Sequence, residues 1–104
     1  MRETEEIGEI VRRFLADGNG ARIIYSRRDG TIEVNGQVHR VGKLSFADVE
    51  SEILRVLEEL YGEYYTTPIG FNSEVYHNSG FRAQVLALGS EGLLIFSIET
   101  KRRW

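Results

Sequence analysis

Tyr61, Tyr64, Tyr65, Phe71, Tyr76 and Phe81 put six of the chain's 11 aromatic residues into a single 21-residue stretch. Thr66, Thr67, Asn72, Ser73, His77, Asn78 and Ser79 lie between them, with the sole proline, Pro68. Flat rings set among hydrogen-bonding side chains suit the stacking of planar groups. Nucleic-acid bases in a single strand are the commonest such partner, because every base presents a π-face. Residues 62–80 therefore read as an ordered, functional loop with a short strand at Glu74 to His77. The plainer alternative is that some rings anchor this loop to the core, as aromatics often do.

Cations are the second requirement for such a partner. Of the 13 basic residues only Lys43 and Lys101 are lysine, and arginine is the better residue for stacking and for bidentate phosphate contacts. The net charge of −3 is unevenly spread. In residues 46–63 Arg55 alone stands against Asp48, Glu50, Glu52, Glu58, Glu59 and Glu63. Residues 18–45 hold Arg22, Arg27, Arg28, Arg40 and Lys43 against Asp29 and Glu33. Binding responds to local potential, so a basic sheet backed by acidic helices is compatible with a polyanion. The residues expected to contact nucleic acid are Arg22, Arg28, Arg40, Arg82, Lys101, Arg102 and Arg103 for phosphates, and Tyr64, Tyr65, Phe71, Tyr76 and Trp104 for stacking. Gln84, Asn72 and Asn78 are expected to bond base edges.

Two enzymatic readings compete. Leu94 to Lys101 is a hydrophobic strand ending in Glu99-x-Lys101, a short pattern shared with PD-(D/E)xK nucleases, with Glu74 as the second metal-binding carboxylate. Arg82 is also placed to neutralise Glu99 as a cross-strand pair. Alternatively, His39 and His77 act as a general base and acid in metal-free RNA cleavage. His39 is expected on the core face, as a satisfied structural histidine. A third reading makes the chain a protein-interaction module with the same aromatics as hot spots. No nucleotide-binding or nucleophile-elbow motif occurs, and no cofactor is expected.

Hydrophobic periodicity gives the elements that must position these residues. Ile7, Ile10, Val11, Phe14 and Leu15 form one stripe of a helix over residues 5–17, capped by Thr4. Asp29-Gly30 and Asn35-Gly36 both signal two-residue hairpin turns in a three-stranded meander over 21–42. That register faces Arg28 with Thr31, Tyr25 with Val34 and Ile32 with His39. It puts Ile23, Tyr25, Ile32, Val34 and Val41 toward the core. Arg22, Arg28 and Arg40 share the other face with Ile24, Ser26, Thr31, Glu33 and Val38. A second helix over 46–61 is capped by Ser45, stops at Gly62 and carries the stripe Val49, Ile53, Val56, Leu57 and Leu60. Residues 81–101 form a hairpin with Leu88 opposite Leu93, Val85 opposite Phe96 and Arg82 opposite Glu99. Its outer face is apolar at Leu86, Leu88, Leu93 and Ile95 and calls for cover from another element or subunit.

The chain of 104 residues is expected to form one domain. No apolar run approaches the roughly 18 residues a membrane span needs. The acidic start is unlike a signal peptide, and the sequence has no cysteine, which together favour the cytoplasm.

The aromatic stretch Tyr64 to Phe71, the segment Gly80-Phe81-Arg82, the arginine-rich strands and the cysteine-free composition resemble the ThermoDBP-type single-stranded DNA-binding proteins of hyperthermophilic archaea. The resemblance implies sequence-tolerant binding of single strands in a basic and hydrophobic cleft, and dimerisation. The leucine-zipper extension that some members use for dimerisation has no counterpart here. The sequence is thus read as an α+β domain, two helices on one face of an antiparallel sheet of about five strands, that binds single-stranded DNA or RNA without catalysis.

Overall fold

The computed structural model describes residues 3–101. Arg102, Arg103 and Trp104, expected to contact nucleic acid, lie outside the described residues. Two helices, α1 (Glu3–Leu15) and α2 (Phe46–Tyr61), accompany seven strands: β1 (Ala21–Ser26), β2 (Thr31–Val34), β3 (Gln37–Arg40), β4 (Tyr65–Gly70), β5 (Ser73–His77), β6 (Phe81–Leu88) and β7 (Leu93–Thr100). All neighbouring strands are antiparallel, in the order β3-β2-β1-β7-β6-β5-β4.

The α+β class with two helices is as expected, but the sheet has seven strands rather than five. The two extra strands come from the segment read as a loop, in which the short strand expected at Glu74 to His77 is β5 and β4 is the unexpected one. Tyr65–Gly70 and Ser73–His77 pair around Phe71-Asn72, with Asn72 in the left-handed region at φ 64°. Pro68 masked this strand in the sequence. A proline cannot donate to a ladder, yet it is tolerated on an edge strand, and β4 is the edge.

The sheet consists of two meanders, β1–β3 and β4–β7, joined side by side through β1 and β7, where Ala21 lies opposite Ile98 and Ser26 opposite Leu93. The chain passes from the edge strand β3 to the opposite edge β4 through α2. Seven strands at about 4.8 Å spacing span roughly 29 Å. A helix of 16 residues runs about 24 Å, so α2 and its two short connections cross one whole face.

Both helices pack on that same face. Ile7, Val11 and Leu15 from α1 and Val49, Ile53, Val56 and Leu57 from α2 close over Ile23, Tyr25, Ile32, Val34, Phe81, Ala83, Val85, Leu94, Phe96 and Ile98. Leu54 is buried in the α2 stripe, whereas Leu60, expected there, is partly exposed. The caps of α2 match expectation: Ser45 Oγ accepts from the Asp48 amide at 3.1 Å, and Gly62 takes φ 93°. Helix α1 starts earlier than expected, so Thr4 lies inside it rather than ahead of it.

In the first meander the core and outer faces are as expected, although the register is not. Tyr25 faces Ile32 and Ile23 faces Val34, because residues 27–30 form a four-residue turn closed by the Gly30 amide on Ser26 O at 2.8 Å. The shift is two residues, which preserves every side-chain direction. Arg28 consequently sits in the turn and not on the sheet face. The second turn, Asn35-Gly36, has two residues, with φ 50° and 91°, and Ile32 faces His39. The register of β6 with β7 is the expected one.

Tyr25, fully buried, ties the connection to α2 onto the sheet. Its hydroxyl accepts from the Leu44 amide at 2.5 Å and lies 3.0 and 3.1 Å from the Gly42 and Leu44 carbonyls.

Gly20 governs how closely β1 approaches β7. A Cβ there would stand 2.5 Å from the Ile98 carbonyl oxygen, which is backbone and cannot swing away. Gly20→Ala is expected to cost about 1–3 kcal/mol, the usual cost of overpacking. Urea unfolding measures it, with Gly36→Ala as a control whose added Cβ meets nothing within 4 Å but whose φ of 91° carries backbone strain alone.

Candidate nucleic-acid interface

Because strand side chains alternate, the registers define what the uncovered face presents. One row across the strands reads Tyr65, His77, Arg82, Glu99. The next reads Thr67, Val75, Gln84, Ser97, Arg22, and a third reads Leu86, Ile95, Ile24, Glu33, Val38. Among the described residues no helix covers this face.

The first two rows form the polar end of the face. The Tyr65 ring, 72% exposed, lies 5.9 Å from the His77 ring at a 37° tilt. Nε2 of His77 is held 3.2 Å from Thr67 Oγ1. A hollow of about 330 Å³ beside them is lined by Thr67, Ile69, Val75, His77, Arg82 and Lys101. Lys101 Nζ donates to the Asn78 carbonyl at 2.9 Å, which holds the ammonium at the rim. Phe71, 91% exposed, projects from the β4–β5 turn. Tyr65, Arg82, Gln84, Lys101 and Arg22, all expected to act together, thus share one end of one face. His77 and Thr67 belong with them, although the sequence reading assigned His77 a different role. The signal that would have found them is the alternation of residues 65–69 and 73–77, which the proline obscured.

Other expected members fall elsewhere. Arg40 lies on the uncovered face at the edge strand β3, beyond the aliphatic third row. Tyr64 and Tyr76 point toward the helices. Tyr76 is only 8% exposed, and the Tyr64 ring packs edge-on against Tyr76 at 5.6 Å and Phe81 at 6.1 Å. Tyr76 is a core side chain and Tyr64 packs, partly buried, against the core, so neither ring lies on the uncovered face. Asn78 is fully committed to structure. Its Nδ2 donates to the carbonyls of Tyr61, Gly62 and Glu63 at the end of α2, and its Oδ1 accepts from the Gly80 and Phe81 amides.

Neither enzymatic constellation is assembled. Glu74 pairs in register with Val85 on the helix side, while Glu99 lies on the uncovered side with β6 between their strands. Arg82 and Glu99 are cross-strand neighbours, but the ion pairs among the described residues are Arg12–Glu59, Arg55–Glu52 and Arg55–Glu59. No cluster of three metal-binding side chains occurs among the described residues. His39 faces the helices and His77 the uncovered side, with four strands between them.

The acidic residues gather on the helical layer. The Tyr76 hydroxyl reaches Glu50 Oε2 at 2.7 Å and Glu74 Oε1 at 2.5 Å, tying α2 to β5. Burial first, then these two carboxylate contacts, push the Tyr76 phenol far above its ordinary 10.0. Burial also raises Tyr61 and Tyr64.

No family model, no curated protein and no solved structure matches this chain.

The raised tyrosines set a pH dependence. A phenol whose folded pKa exceeds its unfolded value binds more protons folded than unfolded once pH passes 10, so its contribution is complete below that pH and is lost above it. Urea midpoints should be insensitive to these tyrosines from pH 7 to 9 and fall above pH 10. Tyr76 contributes a slope of up to about 1.4 kcal/mol per pH unit. Tyr76→Phe should flatten that fall.

Proposed function

We propose that this protein binds single-stranded nucleic acid on the uncovered face of its sheet, without base-sequence preference and without cleaving it. The observation that carries this reading is the convergence on one open surface of an exposed ring (Tyr65) beside a half-buried one (His77), cations (Arg22, Arg82, Lys101) and hydrogen-bonding groups (Thr67, Gln84, Ser97). The helical layer meanwhile carries the clustered carboxylates of α2. Rings supply stacking, arginines supply phosphate contacts, and the separation of charge directs a polyanion to the sheet side. Phe71 extends the platform past the hairpin tip. Glu99 and Glu33 stand on the same face and act against strands laid over them, which favours a path along the second row from Gln84 to Arg22.

The chain-level picture extends the ThermoDBP-type resemblance: single-stranded DNA or RNA as partner and no cofactor. A second reading has one observation in its favour. Leu86, Leu88, Leu93, Ile95 and Ile24 are only half-buried on the uncovered face, and Val38 is 63% exposed. Such a surface suits a protein partner.

Fluorescence anisotropy with a labelled single-stranded 20-mer separates the two. Tyr65→Ala and Phe71→Ala should each weaken binding by the equivalent of about 1–3 kcal/mol per stacked base, with unfolding midpoints unchanged. Wild-type affinity in both would remove stacking from the mechanism. Arg82→Gln should lower the slope of log affinity against log salt by about 0.7, the single-strand value per phosphate contact. Absence of binding at low salt would discard the nucleic-acid reading in favour of the protein-docking one.

A further inference from the structure

Arg82 stands directly opposite Glu99, yet it takes part in none of the ion pairs among the described residues. Opposed charges of opposite sign on one sheet face attract and commonly pair. The Arg82 side chain instead lines the hollow of about 330 Å³ at the β4 edge of the face, and Glu99 does not. Lys101 reaches the same hollow from just beyond the end of β7. Its Nζ gives one N–H to the Asn78 carbonyl at 2.9 Å, and an ammonium has three, so two remain for a ligand. Two cations thus converge on one hollow that no carboxylate lines.

The rest of the lining suits a nucleotide. Val75 and Ile69 supply apolar contact and His77 a ring. Nε2 of His77 lies 3.2 Å from Thr67 Oγ1; where the imidazole donates, the threonine hydroxyl keeps its own hydrogen for a phosphate oxygen. The position of the hollow is equally specific. The second row of the face runs from Arg22 on β1 across β7, β6 and β5 to Thr67 on β4, the last strand of the sheet. Four strand spacings of about 4.8 Å make that path roughly 19 Å long. The hollow therefore lies where the platform stops.

We propose that this hollow binds the terminal phosphomonoester of a single strand, an inference that rests on the reading of the uncovered face as a strand-binding surface. Arg82 takes two phosphate oxygens through parallel N–H bonds, and Lys101 acts as a point charge on the third. Tyr65, its ring 5.9 Å from that of His77, stacks the last base. A phosphomonoester carries a charge of about −1.5 to −2 at pH 7, whereas an internal diester link carries a single charge. Two cations in one hollow match the terminal group and exceed what an internal link needs. Glu99, beside Arg82 on the same face, opposes any anion laid over it and so confines the phosphate to the hollow, where Arg82 meets Lys101.

The test is competition with the full chain: unlabelled octamers of one sequence, ended by a 5′-phosphate, by a 3′-phosphate or by hydroxyls only, displace a labelled single-stranded 20-mer. A strand bound in one direction presents one end to the hollow. One phosphorylated octamer, and not both, should therefore compete about tenfold better than the hydroxyl-ended one. Arg82→Gln and Lys101→Gln should each reduce that advantage to about twofold or less. Arg22→Gln, at the far end of the path, should weaken all the octamers alike and keep their ratio. Equal competition by all the octamers, an equal gain from a phosphate at either end, or an advantage that survives in both hollow variants would overturn the inference and leave strand binding standing. Failure of the 20-mer and every octamer to bind at low salt would instead overturn the strand reading, and the end site with it.

Discussion

The pairing of β1 with β7 is the contact on which the molecule depends. Each meander is a local structure with short turns. Without the six cross-strand positions from Ala21–Ile98 to Ser26–Leu93, each would be a small sheet with an extra open edge. Joined, they form one surface wide enough for α2 to cross, and both helices then share one apolar layer. This joint brings together residues 67 (Ser26–Leu93) to 77 (Ala21–Ile98) positions apart, so it closes the longest loop among the strand pairings, at an entropic cost that grows only slowly with length. It also places Arg22, from the first meander, in the same row as Gln84 and Ser97 from the second. The candidate interface is thus a product of that joint, since neither meander holds all of its members.

Covering one face and leaving the other open divides the molecule chemically. Carboxylates concentrate on α2, where the half-exposed Glu59 meets Arg55 and Arg12, and Glu52, tucked against Gly8 of α1, also meets Arg55. The two Glu59 pairs are exposed and add little stability, since surface pairs contribute about 0–1 kcal/mol. Their effect is on field more than on fold: acidic charge is kept on the helical layer, while Arg22, Arg82 and Lys101 look outward from the other. Through the Tyr76 hydroxyl a carboxylate of α2, Glu50, reaches the sheet, fastening the β4–β5 hairpin that presents Tyr65 and Phe71 on its opposite side and tip.

How much of this was legible in the sequence depended on which signals are local. Facing directions in the first meander came out correctly even though the first turn was mislength, because strand alternation is blind to a shift of two. Helix stripes and the α2 caps depend on near neighbours and were readable, as was the β6–β7 register. Of the β4–β5 hairpin only β5 was, as the short strand at Glu74 to His77. Pro68 is compatible with a strand only at an edge, and no local signal says that β4 is one. The fate of the aromatics was equally hidden: Tyr64 and Tyr65 are adjacent, yet Tyr64, just ahead of β4, packs against the core while Tyr65, its first residue, is exposed. His39 was placed on the correct face, but that its Nε2 lacks a hydrogen-bond partner among the described residues depends on tertiary packing, which has no sequence signature.

The two edges of the sheet have a consequence for how copies of this chain meet each other. On β4 the ladder is interrupted by Pro68 and by the register shift before Gly70. On β3 only four residues are available, ending at Arg40. Extended pairing between molecules needs a long, regular row of free donors and acceptors, and neither edge provides one. Lateral growth of these sheets into filaments would have to start from one ladder that is broken and another that is too short to template it.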